Sequence, residues 1–163
     1  MNRIDAALAY VTRLSFALAC LALLTILAAY VIEVVARYGF GKPTLWSSDL
    51  VNYALCASVF LAMPEITRNS GHVAITSLVE KLSTANQALL ARVMSFGGAL
   101  LCGLASSIAV SAAIGQAQGG IETVAAFAIP KWWLTAIVAF GFGLSALCFL
   151  VLSGRALRAG IEM

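Results

Sequence analysis

Three carboxylates that interrupt long apolar stretches are the residues best placed to do chemistry in this chain: Glu33, Asp49 and Glu65. A transporter that couples solute movement to an ion needs an ionisable group near the middle of the bilayer, where access alternates between the two sides. All three carboxylates lie near the ends of their stretches, where they can reach water, and the central turns contain no Asp, Glu, Lys, Arg or His. Three roles stay open for each: an ion pair or anchor at a helix end, contact with a partner chain, and coupling.

Other kinds of catalytic or binding chemistry find no support in the residue pattern. No Gly-x-x-x-x-Gly-Lys-Ser/Thr string is present to cradle nucleotide phosphates, and the single histidine, His72, excludes a haem held by two histidines. The four cysteines fall one in each apolar stretch and form no Cys-x-x-Cys pair; they are Cys20, Cys56, Cys102 and Cys148. We predict four small buried thiols, no enzymatic activity, no catalytic residue, no cofactor and no metal site.

The composition sets the class of protein that holds these residues. Of 163 residues, 62% are hydrophobic and 10% are charged, and the charged share is less than half of that in soluble domains, which is about 25%. The mean hydropathy is +0.98, which excludes a water-soluble fold. The net charge of +3 includes no basic cluster, so we expect no nucleic-acid partner.

The apolar stretches predict an all-α integral membrane protein that forms one transmembrane domain over residues 1–163. A bilayer core of about 30 Å needs about 20 apolar helical residues to cross it. Four stretches reach that length, over residues 14–36, 48–66, 90–116 and 132–152. Residues 73–82 repeat apolar positions at helical spacing, which predicts a short interfacial amphipathic helix between the second and third spans.

The sequences of two connections between spans predict their conformation. Gly41-Lys42-Pro43 breaks the chain between the first two spans, so we expect a tight hairpin there. The last connection contains an apolar run over residues 121–129, which is far too short to cross a bilayer. We expect that run to dip into the membrane or to pack on its surface.

Charge and tryptophan content orient the spans. Seven Lys or Arg residues lie on the side that holds both termini, against three on the other side, which predicts cytoplasmic termini by the positive-inside rule. All three tryptophans, Trp46, Trp132 and Trp133, then fall at the opposite interface, where an amphipathic indole ring is favoured. Membrane lipids are therefore expected partners.

Small residues recur at intervals of four along the third span and predict a surface for close helix packing. The stripe consists of Ala99, Gly103, Ser107 and Ser111. Because small residues are common throughout this span, the stripe supports tight packing and identifies no partner.

Motifs around the second span resemble a known family. They are Arg37-Tyr38-Gly39-Phe40-Gly41-Lys42-Pro43, Trp46-Ser47-Ser48-Asp49-Leu50, Phe60-Leu61-Ala62, Arg68-Asn69-Ser70-Gly71-His72-Val73-Ala74-Ile75 and, opening the fourth span, Ile129-Pro130-Lys131-Trp132. Over residues 10–155 they resemble the small membrane subunit of tripartite ATP-independent periplasmic (TRAP) transporters, the DctQ type. Ser48-Asp49 stands where the family usually has Glu-Glu, and Ala62 where it usually has Gly.

The resemblance implies a secondary transporter of a bacterial inner membrane, in which this chain is a small scaffold subunit. A large membrane subunit of the DctM type would carry sodium and an organic acid that a periplasmic substrate-binding protein delivers. Candidates for partner contact or interface anchoring are Arg37, Trp46, Asp49, Glu65, Arg68, His72, Trp132 and Trp133.

Two alternatives remain open from the residues alone. One is an autonomous four-span transporter that acts as a homodimer, which the missing midplane carboxylate disfavours. The other is a membrane anchor for a different complex, which composition does not exclude.

Overall fold

Four long helices make up the described part of the chain. The computed structural model describes residues 3–69 and 84–159. Its helices are α1 (Arg3–Phe40), α2 (Ser47–Asn69), α3 (Thr84–Gln118) and α4 (Lys131–Ala159). All four are long and apolar enough to cross a membrane, which confirms the predicted all-α fold with four spans. The predicted interfacial helix over residues 73–82, together with His72, lies outside the described residues.

Each helix contains a predicted span and extends beyond it. α1 has 38 residues, which gives about 57 Å at 1.5 Å per residue. The segment before residue 14 therefore continues the first span as one helix, longer than the bilayer core. α1 ends just before Gly41, and α3 ends just before the Gly119-Gly120 pair. Gly41 has a φ of 63° and Gly120 a φ of 58°. Residues with a Cβ rarely adopt these positive φ values, so glycine allows the chain to turn at both helix ends.

The helices pack side by side in a row rather than as a closed bundle. α1 packs along α2, α2 packs along α4, and α4 packs along α3. α1 makes a small contact with α4, and the described residues of α3 make no extensive contact with α1 or α2. α2 and α4 therefore form the middle of the row, and α1 and α3 form its edges.

Small and polar side chains form the seam between α1 and α2. The buried residues of α1 are Thr12, Ser15, Ala19, Ala29 and Glu33, and those of α2 include Ser47, Val51, Ala54, Ser58 and Glu65. Along each helix, successive buried residues are separated by three or four positions, or by sums of these. The average spacing of about 3.5 residues keeps one face of each helix toward its partner. Ser15 Oγ donates to Leu61 O across the seam at 2.7 Å, which requires closely spaced backbones.

The backbones of α2 and α4 approach each other most closely at a glycine. A Cβ on Gly141 would overlap the carbonyl oxygen of Phe60. Pro64, buried inside α2, has no N–H to donate to that carbonyl, which is four residues earlier. The Phe60 carbonyl therefore faces the bare backbone at Gly141, and the rings of Phe60 and Phe142 add a tilted contact with centroids 5.4 Å apart.

The seam between α3 and α4 follows only part of the predicted stripe. Ala99 is buried, Gly103 is half-buried, and Ser107 and Ser111 are exposed. Contact with α4 passes instead to Ser106, whose Oγ donates to Ala139 O at 2.9 Å. An interval of four residues advances about 400° around a helix, so a strict stripe rotates away from its neighbour. Close helix packing along the rest of the stripe stays a prediction.

Candidate functional site

Two carboxylates are buried at opposite ends of the α1–α2 pair. Glu33 lies at the end that carries the α1–α2 and α3–α4 connections, which we call the loop end. Glu65 lies at the end that carries the start of α1, which we call the terminal end. Only 9% of Glu33 and 8% of Glu65 is exposed. Both carboxylates lie near helix ends, as the sequence predicts, and donors within the protein surround most of each carboxylate.

Glu33 holds the hairpin between α1 and α2 together. Its Oε1 accepts from Arg37 Nη2 at 2.6 Å and from Arg37 Nε at 3.1 Å. Its Oε2 accepts from Thr44 N at 2.9 Å, from the Thr44 hydroxyl and from Ser47 Oγ at 3.1 Å. A carboxylate offers about four lone-pair positions, so these donors leave little capacity for a transported ion or substrate.

A cleft of about 260 Å³ opens beside this ion pair. Tyr30, Val34, Tyr38 and Val51 supply its aromatic and apolar walls. Arg37 also lines the cleft, and its Nε and Nη2 donate to Glu33. Among residues 3–69 and 84–159, no group of three His, Cys, Asp or Glu side chains is arranged to hold a metal ion.

Asp49 and Tyr53 attach the α3–α4 connection to the start of α2. Asp49 Oδ2 accepts from Ala126 N at 2.8 Å and from Phe127 N at 3.2 Å. One turn further along α2, the Tyr53 hydroxyl donates to Phe127 O at 3.0 Å and pairs with Thr123 Oγ1 at 2.8 Å. The candidate anchor Asp49 thus binds another part of its own chain.

Glu65 forms a second ion pair at the terminal end. Arg68 Nη2 donates to Glu65 Oε1 at 2.9 Å and Arg68 Nε to Oε2 at 3.1 Å. Asn69 Nδ2 donates to Oε1 at 2.6 Å. Glu65 and Arg68, both candidate anchors, therefore bind each other within the last turns of α2.

All three tryptophans lie at the loop end, with exposed indole rings. Trp46 directly precedes α2, and Trp132 and Trp133 lie in the first turn of α4. The rings of Trp132 and Trp133 meet edge to face, with centroids 5.9 Å apart. The position of all three tryptophans at one end of the helices agrees with a membrane–water interface there. Which side of the membrane the loop end faces stays a prediction.

The cysteines do not all have the expected burial. Cys102 and Cys148 are buried and Cys56 is half-buried, but Cys20 is exposed. The prediction of four buried thiols is wrong for Cys20, because only its neighbour Ala19 faces α2.

Sequence reasoning left the role of Glu33 open and missed that of Tyr53. The spacing of Glu33 and Arg37, four residues apart, is typical of an ion pair on a helix surface and was the available signal. Asp49 and Tyr53 have the same spacing and so share a face of α2. Their partners lie 70 to 78 residues further along the chain, and no local pattern indicates so distant a contact.

One family model matches most of the chain. It is described as the DctQ component of tripartite ATP-independent periplasmic transporters, and it matches residues 26–159. The matched range includes both buried ion pairs and the α3–α4 connection. No curated protein matches the chain.

Proposed function

The chain belongs to the DctQ family of tripartite ATP-independent periplasmic (TRAP) transporter components, and from this we propose that it is the scaffold to which the large membrane subunit binds. Members of this family are transporter components rather than enzymes. They work with a large membrane subunit and a periplasmic binding protein. In this proposal, the chain supports the large subunit and binds neither the ion nor the substrate.

The observation that carries the proposal is that both buried carboxylates bind donors of their own chain. A carboxylate that couples transport to an ion must exchange partners as access alternates. Glu33 and Glu65 are instead enclosed by donors of their own chain, each with an arginine within one turn. This arrangement supports a role in fixing the ends of α1 and α2 rather than in carrying an ion.

The row of helices also supports a scaffold role. Its edge helices expose large apolar side chains along much of their length, such as Leu24 and Leu27 on α1 and Leu101 and Ile108 on α3. Lipid or another membrane protein must cover these surfaces. We propose that the large subunit covers part of the row and that lipid covers the rest.

The composition of the central turns supports the assignment of ion and substrate binding to the large subunit. With no Asp, Glu, Lys, Arg or His there, the chain has no charged side chain to bind sodium or an organic acid in the middle of the membrane. We assign those ligands to the large subunit, in a bacterial inner membrane with both termini of this chain in the cytoplasm. The exposed residues Trp46, Trp132 and Trp133 are candidates for contact with that subunit or with lipid, and His72 is a further candidate.

Uptake by separately purified subunits tests the proposal. Proteoliposomes would contain this chain, the large subunit, or both, together with the binding protein, a labelled organic acid and a sodium gradient. We expect uptake only with both membrane subunits present. In the pair, E33Q and E65Q would leave the sodium dependence of the remaining uptake unchanged. Uptake by this chain alone that E33Q abolishes would overturn the proposal and favour the autonomous transporter.

A further inference from the structure

The α3–α4 connection exposes an uncharged apolar segment at the loop end. This segment, residues 124–129, has the sequence Val-Ala-Ala-Phe-Ala-Ile, and we call it the apolar turn. Val124 is fully exposed and Phe127 is 56% exposed. None of its side chains can donate or accept a hydrogen bond. An exposed surface of this kind is unfavourable in water.

Hydrogen bonds within the protein fix the backbone of the apolar turn. The amides of Ala126 and Phe127 donate to Asp49, and Phe127 O accepts from Tyr53. At the base, Thr123 N donates to Ile129 O at 3.0 Å, and Ile129 N donates to Thr123 Oγ1 at 3.0 Å. Because lipid tails cannot satisfy backbone polar groups, these bonds lower the cost of placing this part of the turn near the acyl chains.

The attachment to α2 sets the depth of the apolar turn. From Ser47 to Arg68, α2 rises about 32 Å, close to the thickness of a hydrocarbon core. Asp49 and Tyr53 lie in the first two turns of that length, so the apolar turn lies beside the start of the span rather than beyond it. Trp132 and Trp133 begin α4 a few residues later, and tryptophan is typical of the boundary between headgroups and acyl chains.

We propose that the apolar turn inserts into the headgroup–acyl boundary of the leaflet at the loop end, as a non-helical lipid anchor of this chain. Val124 and Phe127 contact the acyl chains. Glu122 and Lys131, exposed on either side of the turn, remain among the headgroups. The inference depends on the hydrogen bonds of Asp49 and Tyr53 to the turn, which we call the clamp, and on the composition of the turn. It is independent of the scaffold role.

Spin labels on the full chain test the proposal. V124C and A128C would be labelled in a chain with the native cysteines replaced by alanine, in vesicles of phosphatidylethanolamine and phosphatidylglycerol. The control labels are K42C in the exposed hairpin and L24C on the exposed face of α1. We expect the ratio of collisions with oxygen to collisions with a water-soluble nickel complex to be several-fold higher at both turn positions than at K42C. A ratio equal to that at K42C would overturn the proposal.

A second measurement uses the native cysteines and the native membrane. A photoreactive phenylalanine analogue replaces Val124, whose exposed side chain makes no contact that the fold needs. Irradiation in whole membranes should yield mainly phospholipid adducts, identified by mass. Adducts mainly with another protein, or no adduct beyond reaction with water, would show that the apolar turn is a protein contact or faces water.

Discussion

At the scale of single residues, the carboxylates of this chain connect segments that hydropathy alone leaves separate. A buried carboxylate is unfavourable unless it is paired and hydrogen-bonded. Glu33 meets this condition with donors from α1, from the hairpin and from the first residue of α2. Asp49, which is half-buried, connects α2 to the α3–α4 connection through two backbone amides. Their charge is therefore used for structure.

Replacement of Glu33 by glutamine should lower the thermal stability of the chain in mild detergent. The amide keeps the size of the side chain but loses the ion pair with Arg37, and its NH₂ group meets a second donor at Thr44 or Arg37. The measurement is the melting temperature by fluorescence-detected size exclusion. E122Q removes an exposed carboxylate at the same end and should leave the melting temperature unchanged. Equal melting temperatures for E33Q and the wild type would contradict this role of Glu33.

Replacement of Asp49 by alanine should release the α3–α4 connection from α2. The amides of Ala126 and Phe127 then lose their acceptor, so their hydrogen exchange should become faster while exchange in the centre of α3 does not change. Mass spectrometry of the chain in nanodiscs measures both segments. D49N keeps one side-chain oxygen as acceptor and should retain part of the protection. Unchanged exchange at Ala126 and Phe127 in D49A would show that the clamp is unimportant.

At the scale of elements, a proline and a glycine on neighbouring helices act together. Pro64 removes the donor that the Phe60 carbonyl would have within α2, and Gly141 lets the α4 backbone lie against that carbonyl. α2 and α4 form the middle of the row. Their separation therefore affects the packing of both edge helices.

Replacement of Gly141 by alanine should destabilise the chain by about 1–3 kcal/mol, the range for overpacking of a close contact. Unfolding by sodium dodecyl sulfate in mixed micelles, followed by circular dichroism, measures the change. The matched control is G103A on α3, where a Cβ would meet no atom within 4 Å. That variant should be neutral or more stable, because alanine favours helices. Equal stability of G141A and G103A would contradict the close approach.

Sequence predicts the existence of the helices better than it predicts their contacts. The bilayer imposes long apolar stretches, so hydropathy locates all four spans. The spans are apolar on nearly every side, so their packing faces leave a weak signal. Of the four α3 stripe residues, only Ala99 is buried. At the loop end, the tryptophans were predictable from type and position, whereas the contact of Asp49 with Phe127 depends on how α2 and α4 are placed in the row.

At the scale of the whole molecule, the four helices form a row in which hydrogen bonds join α1 to α2. At the loop end, Glu33 of α1 accepts from Thr44 in the hairpin and from Ser47 of α2, and further along α1 Ser15 donates to Leu61 O. A row exposes more helix surface than a closed four-helix bundle of the same length. Such a shape is suited to support a larger membrane protein along its face.

Because an even number of crossings returns a chain to its starting side, we expect both termini on one side of the membrane, and the distribution of Lys and Arg predicts that this side is the cytoplasm. Fluorescent protein fused to either terminus should therefore fold and fluoresce. Alkaline phosphatase should be active only when inserted in the α1–α2 hairpin or the α3–α4 connection. Active phosphatase at a terminus would reverse the predicted orientation.

The most direct test of the scaffold role is the mass of the assembly that contains this chain. The tagged chain would be extracted from its native membrane in a gentle detergent and analysed by native mass spectrometry, with identification of each component. Our account predicts a complex in which this chain and one large polytopic membrane protein occur in equal amounts. Recovery of the chain alone, or as a homodimer that moves solute in liposomes, would contradict it.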